Sequence, residues 1–206
     1  MCCAANKQEK NIRKFSDMEK KTSYMKKVME TIATAEGDDC APSISVKLKK
    51  LYREFWGEAA EDYSEEKRKF NRIMLDLEAS VEQKIRRADD PLAAALQYAR
   101  TGNYIDFAAL KDAQEVGLTS AARVIGNGSD VPGTWLSGIS GKARELLNQA
   151  DLILAKGQGN FETLNESGLN IYYLFLCKCE WFQIRFHAAP LQGMFVNERR
   201  ISSAVK

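Results

Sequence analysis

The chain has 206 residues, 45% of them hydrophobic, enough to bury a core as one large domain or two small ones. Its 30 Lys and Arg stand against 28 Asp and Glu, a formal charge of +2 that is too balanced for a nucleic-acid partner. No apolar run approaches the roughly 20 residues of a membrane span. "MCCAANKQEK" lacks the apolar stretch of a signal peptide, so the expected location is cytoplasmic, with no membrane partner.

Five cysteines, an odd number, suit a reducing compartment. Cys177 and Cys179 form a Cys-x-Cys pair, expected on one face of a strand because strand side chains alternate with period two. A zinc site wants four ligands, and His187 is the only histidine.

The first half has the spacing of helices. The lysine-rich segment from Lys7 to Lys27, broken by Glu9, Asp17 and Glu19, reads as a solvated helix face. Ser16 and Glu19 fit a capping box, and Met18, Met25, Val28 and Ile32 follow at helical steps. Phe70, Met74, Leu77, Val81 and Ile85 predict a second long helix. "DDPLAAALQYAR" predicts a third, with Asp90 as N-cap, Pro91 first in the helix, and Leu92, Leu96 and Ala99 on one face. These stripes are expected to be core.

The second half changes period. "ARVIGN" (122–127) and "DLILAK" (151–156) are short apolar runs of buried-strand type, and "IYYLFLCKC" (171–179) is a longer one. "SGKARELLNQA" between the first two predicts a helix over 140–150. Strand, helix, strand implies a parallel α/β unit, whose ligands lie beyond the carboxyl ends of its strands. The expected architecture is α/β: a helical N-terminal region over 1–110, then a truncated parallel-sheet domain over 111–206.

Two polar turns lie at such strand ends. In "KGQGNFET", Lys156 can offer an ammonium, and the turn at Gly157 and Gly159 can offer free N–H groups to an anion. In "NGSDVPGT", Asn127, Ser129, Asp130 and Thr134 add hydrogen-bonding groups. The glycine order fits neither a P-loop nor a dinucleotide fingerprint. An ordinary turn with an exposed lysine explains the first stretch as well as an anion site does.

"ADLILAKGQGNFETL" (150–164), "NGSDVPGT" (127–134), "GLNIYYLFLCKC" (168–179) and "ARTGNYIDFAAL" (99–110) resemble the damage-control phosphatase family, over most of the chain from Phe15 to Glu198. "KDAQEVGL" (111–118) resembles the segment that shortly follows one of that family's metal-ligand motifs. The resemblance implies hydrolysis of phosphate monoesters, of sugars or damaged metabolites, with a divalent Mn, Co, Ni or Mg ion. It implies a phosphorylated small molecule as partner. It assigns the phosphate to Lys156, with Gly157 and Asn160 in the same turn and Asn127, Gly128, Ser129 and Asp130 beside the pocket.

The chain also departs from the family. The Asp-Asn-x-Gly-Glu and Asn-Asp-Ala-Thr motifs that supply the family's metal ligands are absent, because Leu110 runs straight into Lys111. The family's N-terminal Cys-x-x-Cys is not reproduced by "MCC". Asp106 is expected to brace the helical region and Asp112 to sit in a helix start, so no metal ligand and no catalytic residue is assigned. The missing segment would carry at least one central strand and its helix, leaving a sheet edge and an apolar face open, with a homo-oligomer among the outcomes. Three readings of the chain stay open: a phosphatase, a non-catalytic anion-binding pseudoenzyme, and a gene remnant.

Overall fold

The computed structural model describes residues 2–57, 64–101 and 110–204, which divide into two compact units at 63/64. The first unit is helical: α1 (Cys2–Ile12), α2 (Met18–Ala33) and α3 (Ala41–Trp56). The N-cap of α2 is Asp17, not Ser16: its carboxylate accepts from the Lys20 N–H at 2.9 Å, which places the helix start one residue later than the capping-box reading. Val28 is buried with Ile12, Tyr24, Ile44, Leu48 and Tyr52, and Met25 and Ile32 pack on that cluster. Met18 is 68% exposed and lies off it.

A buried carboxylate ties the entrance of α3. The Asp39 side chain is 2% exposed and accepts from Lys47 Nζ at 2.6 Å, the Glu36 N–H at 3.0 Å and Ser43 Oγ at 2.8 Å. Lys47 foremost, then the Glu36 amide, holds the carboxyl below its ordinary value near 3.8. Its contribution to stability is therefore complete above the unfolded-state pKa, and is lost as the pH falls through that value toward the lower folded one. Thermal unfolding at neutral pH and near pH 3 is expected to show a smaller acid-induced loss for Asp39→Asn than for the wild type.

The second unit opens with α4 (Ser64–Arg86) and α5 (Pro91–Thr101). The Asp90 cap is as expected, accepting the Ala93 N–H at 2.9 Å. The stripes on these two helices are not core, however. No residue of α4 is buried: Phe70, Met74 and Leu77 are 38%, 49% and 47% exposed, and Leu92 of α5 is 70% exposed. The helical spacing is there, but too little of the unit closes over it. The Gly-Asn-Tyr-Ile-Asp-Phe stretch, with Asp106, lies outside the described residues.

Two short helices follow, α6 (Leu110–Glu115) and α7 (Leu118–Ala121). Asp112 stands in the first turn of α6, as expected. Then come α8 (Gly141–Gln149), capped by Ser140 Oγ accepting the Ala143 N–H at 3.2 Å, and β1 (Ile153–Lys156). The chain ends with α9 (Gln158–Leu164), β2 (Ile171–Leu176), α10 (Glu180–Phe186), β3 (Gly193–Asn197) and α11 (Glu198–Ala204).

The strand order is β1-β2-β3. β1 and β2 run parallel, with Ile153 beside Ile171, and β2 and β3 run antiparallel, with Leu176 beside Gly193. The sheet is thus mixed, and its parallel unit is β1-α9-β2, one element later than the spacing predicts. "ARVIGN" is not a strand. Ile125 is 39% exposed, and the Asn127 carbonyl accepts the Ser140 N–H at 2.8 Å instead of joining a ladder. Among the described residues β1 is a sheet edge, with Leu152 and Leu154 51% and 54% exposed.

Alternation along the strands fixes the core. Ala155, Ile171, Tyr173 and Phe175 face one way, onto Phe161 and Leu164 of α9, Phe182 of α10 and Ile201 of α11. Leu174 and Leu176 are buried on the opposite face, and α5 contacts β2 and β3. Cys177 and Cys179 do not share a strand face. β2 stops at Leu176, because the Lys178 N–H turns to Gln158 Oε1 at 3.2 Å, and Cys179 becomes the N-cap residue of α10. No described helix is long and apolar enough to cross a membrane.

Candidate functional site

Lys156 is the last residue of β1, at the carboxyl end where α/β sheets place ligands. The residue is exposed, yet enough protein surrounds its ammonium that burial lowers its pKa from 10.5. Gly157 then turns the chain at φ 104° and ψ 147°, a conformation that a side chain would strain, while its own N–H donates to the Leu174 carbonyl at 2.8 Å. The next two amides, of Gln158 and Gly159, have no hydrogen-bond partner among the described residues.

Asn160 locks this turn. Its Nδ2 donates to the Lys156 carbonyl at 2.8 Å, and its Oδ1 accepts from Thr134 Oγ1 at 2.7 Å. The Thr134 N–H donates to Thr163 Oγ1 at 2.9 Å, and that hydroxyl donates to the Gly159 carbonyl at 2.8 Å. The two polar turns are therefore stitched together, residues 127–134 against the first turn of α9. Thr134 and Thr163 are the stitches. Thr134 was legible as a polar group of "NGSDVPGT", but Thr163 carried no signal beyond its place one helical turn after Gly159.

Gly133 makes the close approach possible. A Cβ there would come within 2.6 Å of the Gly159 carbonyl carbon and 2.7 Å of Thr163 Oγ1, and φ is +89°. Gly133→Ala is expected to destabilise the unit by about 1–3 kcal/mol and to undock the loop. A thermal scan, with Asn127 and Thr134 amide resonances as local reporters, checks this. Unchanged melting and unchanged resonances would contradict it.

Within the loop, Asn127 Nδ2 donates to the Gly133 carbonyl at 3.2 Å, and Asn127 Oδ1 accepts the Ser129 N–H at 3.0 Å. Ser129 Oγ accepts the Val131 N–H at 3.1 Å. Asn127, Ser129 and Asn160 thus shape the site through side chains already engaged. Gly128, at φ +81°, and Asp130 are exposed, and Asp130 has no partner among the described residues.

The donor set of the described residues does not fit a divalent metal. Among the described residues no group of three or more His, Cys, Asp or Glu side chains stands close enough to hold one. Asp112 is paired with Lys67 at 3.2 Å.

The sequence profile of the damage-control phosphatase ARMT1-like domain matches residues 1–117 and again 108–187. The chain belongs to that family. The two matched segments overlap at 108–117, across the Leu110–Lys111 junction. Damage-control phosphatase PH1575 of Pyrococcus horikoshii is 40% identical over 81 residues, 39% of this chain and 28% of that protein. The uncharacterised protein MJ0202 of Methanocaldococcus jannaschii is 30% identical over 115 residues, 54% of this chain and 34% of that one. The aligned segments thus span about a third or less of those relatives' lengths. The crystal structure of a DUF89 family protein, PH1575 of P. horikoshii, shares the fold, with a TM-score of 0.63 and 19% identity over 96% of each chain.

Proposed function

We propose that this family member binds phosphate monoesters of small metabolites at the Lys156 turn. One observation carries the reading: a partly desolvated ammonium at the end of β1 stands directly before two amides that have no partner among the described residues. A tetrahedral dianion accepts from all three donors, and a charge-assisted hydrogen bond is about twice as strong as a neutral one. The stitched loop of Asn127, Gly128, Ser129 and Asp130 forms the adjoining wall in this reading. The family's name, damage-control phosphatase, supports phosphate esters as the ligand class. Free Cys40, Cys177 and Cys179 suit a cytoplasmic setting.

The family's hydrolysis relies on a divalent ion, which would neutralise phosphoryl charge and orient the attacking oxygen. Among the described residues no group of three or more candidate ligands stands together, and in this reading their part is to hold and orient the phosphate. The test is hydrolysis of p-nitrophenyl phosphate with Mn²⁺, Co²⁺, Ni²⁺, Mg²⁺ or a chelator, beside Lys156→Ala. The expected result is competition between the ester and inorganic phosphate for binding, without metal-dependent turnover. Turnover that needs a metal and disappears in Lys156→Ala would replace the binding-only reading with a working phosphatase.

A further inference from the structure

Gln158 opens α9 directly after Gly157, and its backbone N–H is one of the two that no described residue binds. Its half-buried side chain is engaged at both ends. Oε1 accepts the Lys178 N–H at 3.2 Å, and Nε2 donates to Glu162 Oε1 at 2.9 Å, with Cys179 Sγ 3.7 Å away. A backbone N–H on one side and a carboxylate on the other leave one orientation for the carboxamide. Lys178 and Cys179 lie just past the end of β2, so this side chain ties the first residue of α9 to the neighbouring strand.

We infer that the Gln158 side chain is a positioning group for the Lys156 turn, holding the Gln158 and Gly159 amides toward one anion without touching it. The inference rests on the phosphate reading above. Two points of the turn are fixed from elsewhere. The Gly157 N–H is held by the Leu174 carbonyl at 2.8 Å, and Asn160 is held by the Lys156 carbonyl and Thr134. Between them stand the peptide groups that carry the two amides. Gly157 and Gly159 flank these groups with no side chain, so Gln158 supplies the side-chain restraint on the stretch. An anion held by two amides needs both to converge, and a peptide free to turn must be ordered at the moment of binding.

A role in fastening α9 to the fold would be redundant. Phe161 and Leu164 are 1% and 2% exposed and anchor the same helix on the sheet. Gln158→Met keeps the length of the side chain and removes its hydrogen bonds, so it separates positioning from fastening. Loss of fastening lowers the melting temperature. Loss of positioning lowers phosphate affinity in protein that is still folded, and leaves the Lys156 ammonium as it was.

Titration of the full chain with inorganic phosphate, followed by the Gln158 and Gly159 amide resonances, tests the positioning. In the wild type both resonances are expected to move together and saturate. Gln158→Met is expected to melt within about 4 °C of the wild type and to bind phosphate roughly tenfold more weakly. Before phosphate is added, the heteronuclear NOE at position 158 and at Gly159 should be lower in the variant. The alkaline decline in affinity, which Lys156 sets, is expected at the same pH in both proteins. Phosphate that moves neither wild-type resonance would overturn the phosphate reading and this inference together. Binding by the wild type and equal binding by Gln158→Met, an unchanged NOE, affinity lost only together with the fold, or a displaced alkaline decline would each leave the phosphate reading standing and overturn the positioning role.

Discussion

Lys156→Ala is expected to weaken binding of a phosphate monoester by roughly 10- to 100-fold, the loss of one charge-assisted hydrogen bond of about 1.5–3 kcal/mol. Because the residue is exposed at the end of a strand, its removal leaves the core of Ala155, Ile171 and Tyr173 intact. Melting should therefore barely change while binding falls. The pH dependence carries a second signature. The ammonium must be charged to hold a dianion, and burial has lowered its pKa from 10.5. Affinity should thus decline as the pH rises through that lowered value, earlier than for an ordinary lysine. Isothermal titration across the alkaline range reads this, and Lys156→Ala should show no such decline.

Phe161→Ala is expected to be the most destabilising single change in the α/β unit, at about 3–5 kcal/mol. The ring is 1% exposed and lies against Tyr173, Phe175, Phe182 and Phe186, with centroids 4.9–5.3 Å away. It belongs to α9, one residue after Asn160, so the same helix turn carries both the core anchor and the lock on the Lys156 carbonyl. The Arg185 guanidinium also stacks over this ring at 5.2 Å. Removing the ring should lower the unit's melting temperature by roughly 10 °C and loosen the Lys156 turn. Differential scanning calorimetry checks the first effect, and phosphate titration of the remaining folded protein checks the second. A small shift with binding unchanged would mean that α9 is held by its hydrogen bonds alone.

The two elements that flank the candidate site, α8 and β1, were more legible in the sequence than the rest of the sheet. "SGKARELLNQA" and "DLILAK" mark α8 and β1 because helical spacing and an apolar run are local signals, complete within a few residues. "ARVIGN" has the same local look, but a strand needs a partner, and its last carbonyl bonds to Ser140 instead. The stripe on α4 shows the same limit from the other side. Periodicity marks a helix, but burial depends on what the rest of the chain lays over it. β3 was not foreseen: "GMFVN" is five residues with no strong alternation, and it is a strand because Tyr172 to Leu176 offers it an edge.

The close fit of the two turns was likewise beyond sequence spacing. Gly133 and Gly159 stand 26 positions apart, as do Thr134 and Asn160, whose hydrogen bond joins the turns. Only the fold brings them together. The resemblance to the family placed both strings near one pocket, but the glycine-to-glycine contact that lets them touch is a property of packing.

The most direct measurement is calorimetric titration of the wild-type chain and Lys156→Ala with a sugar phosphate, in the presence of chelator. The account predicts saturable binding by the wild type that inorganic phosphate competes away and the unphosphorylated sugar does not reproduce, with a loss of at least roughly tenfold in Lys156→Ala. No heat from folded wild-type protein, or equal affinity in the variant, would contradict the assignment of the phosphate to the turn after β1.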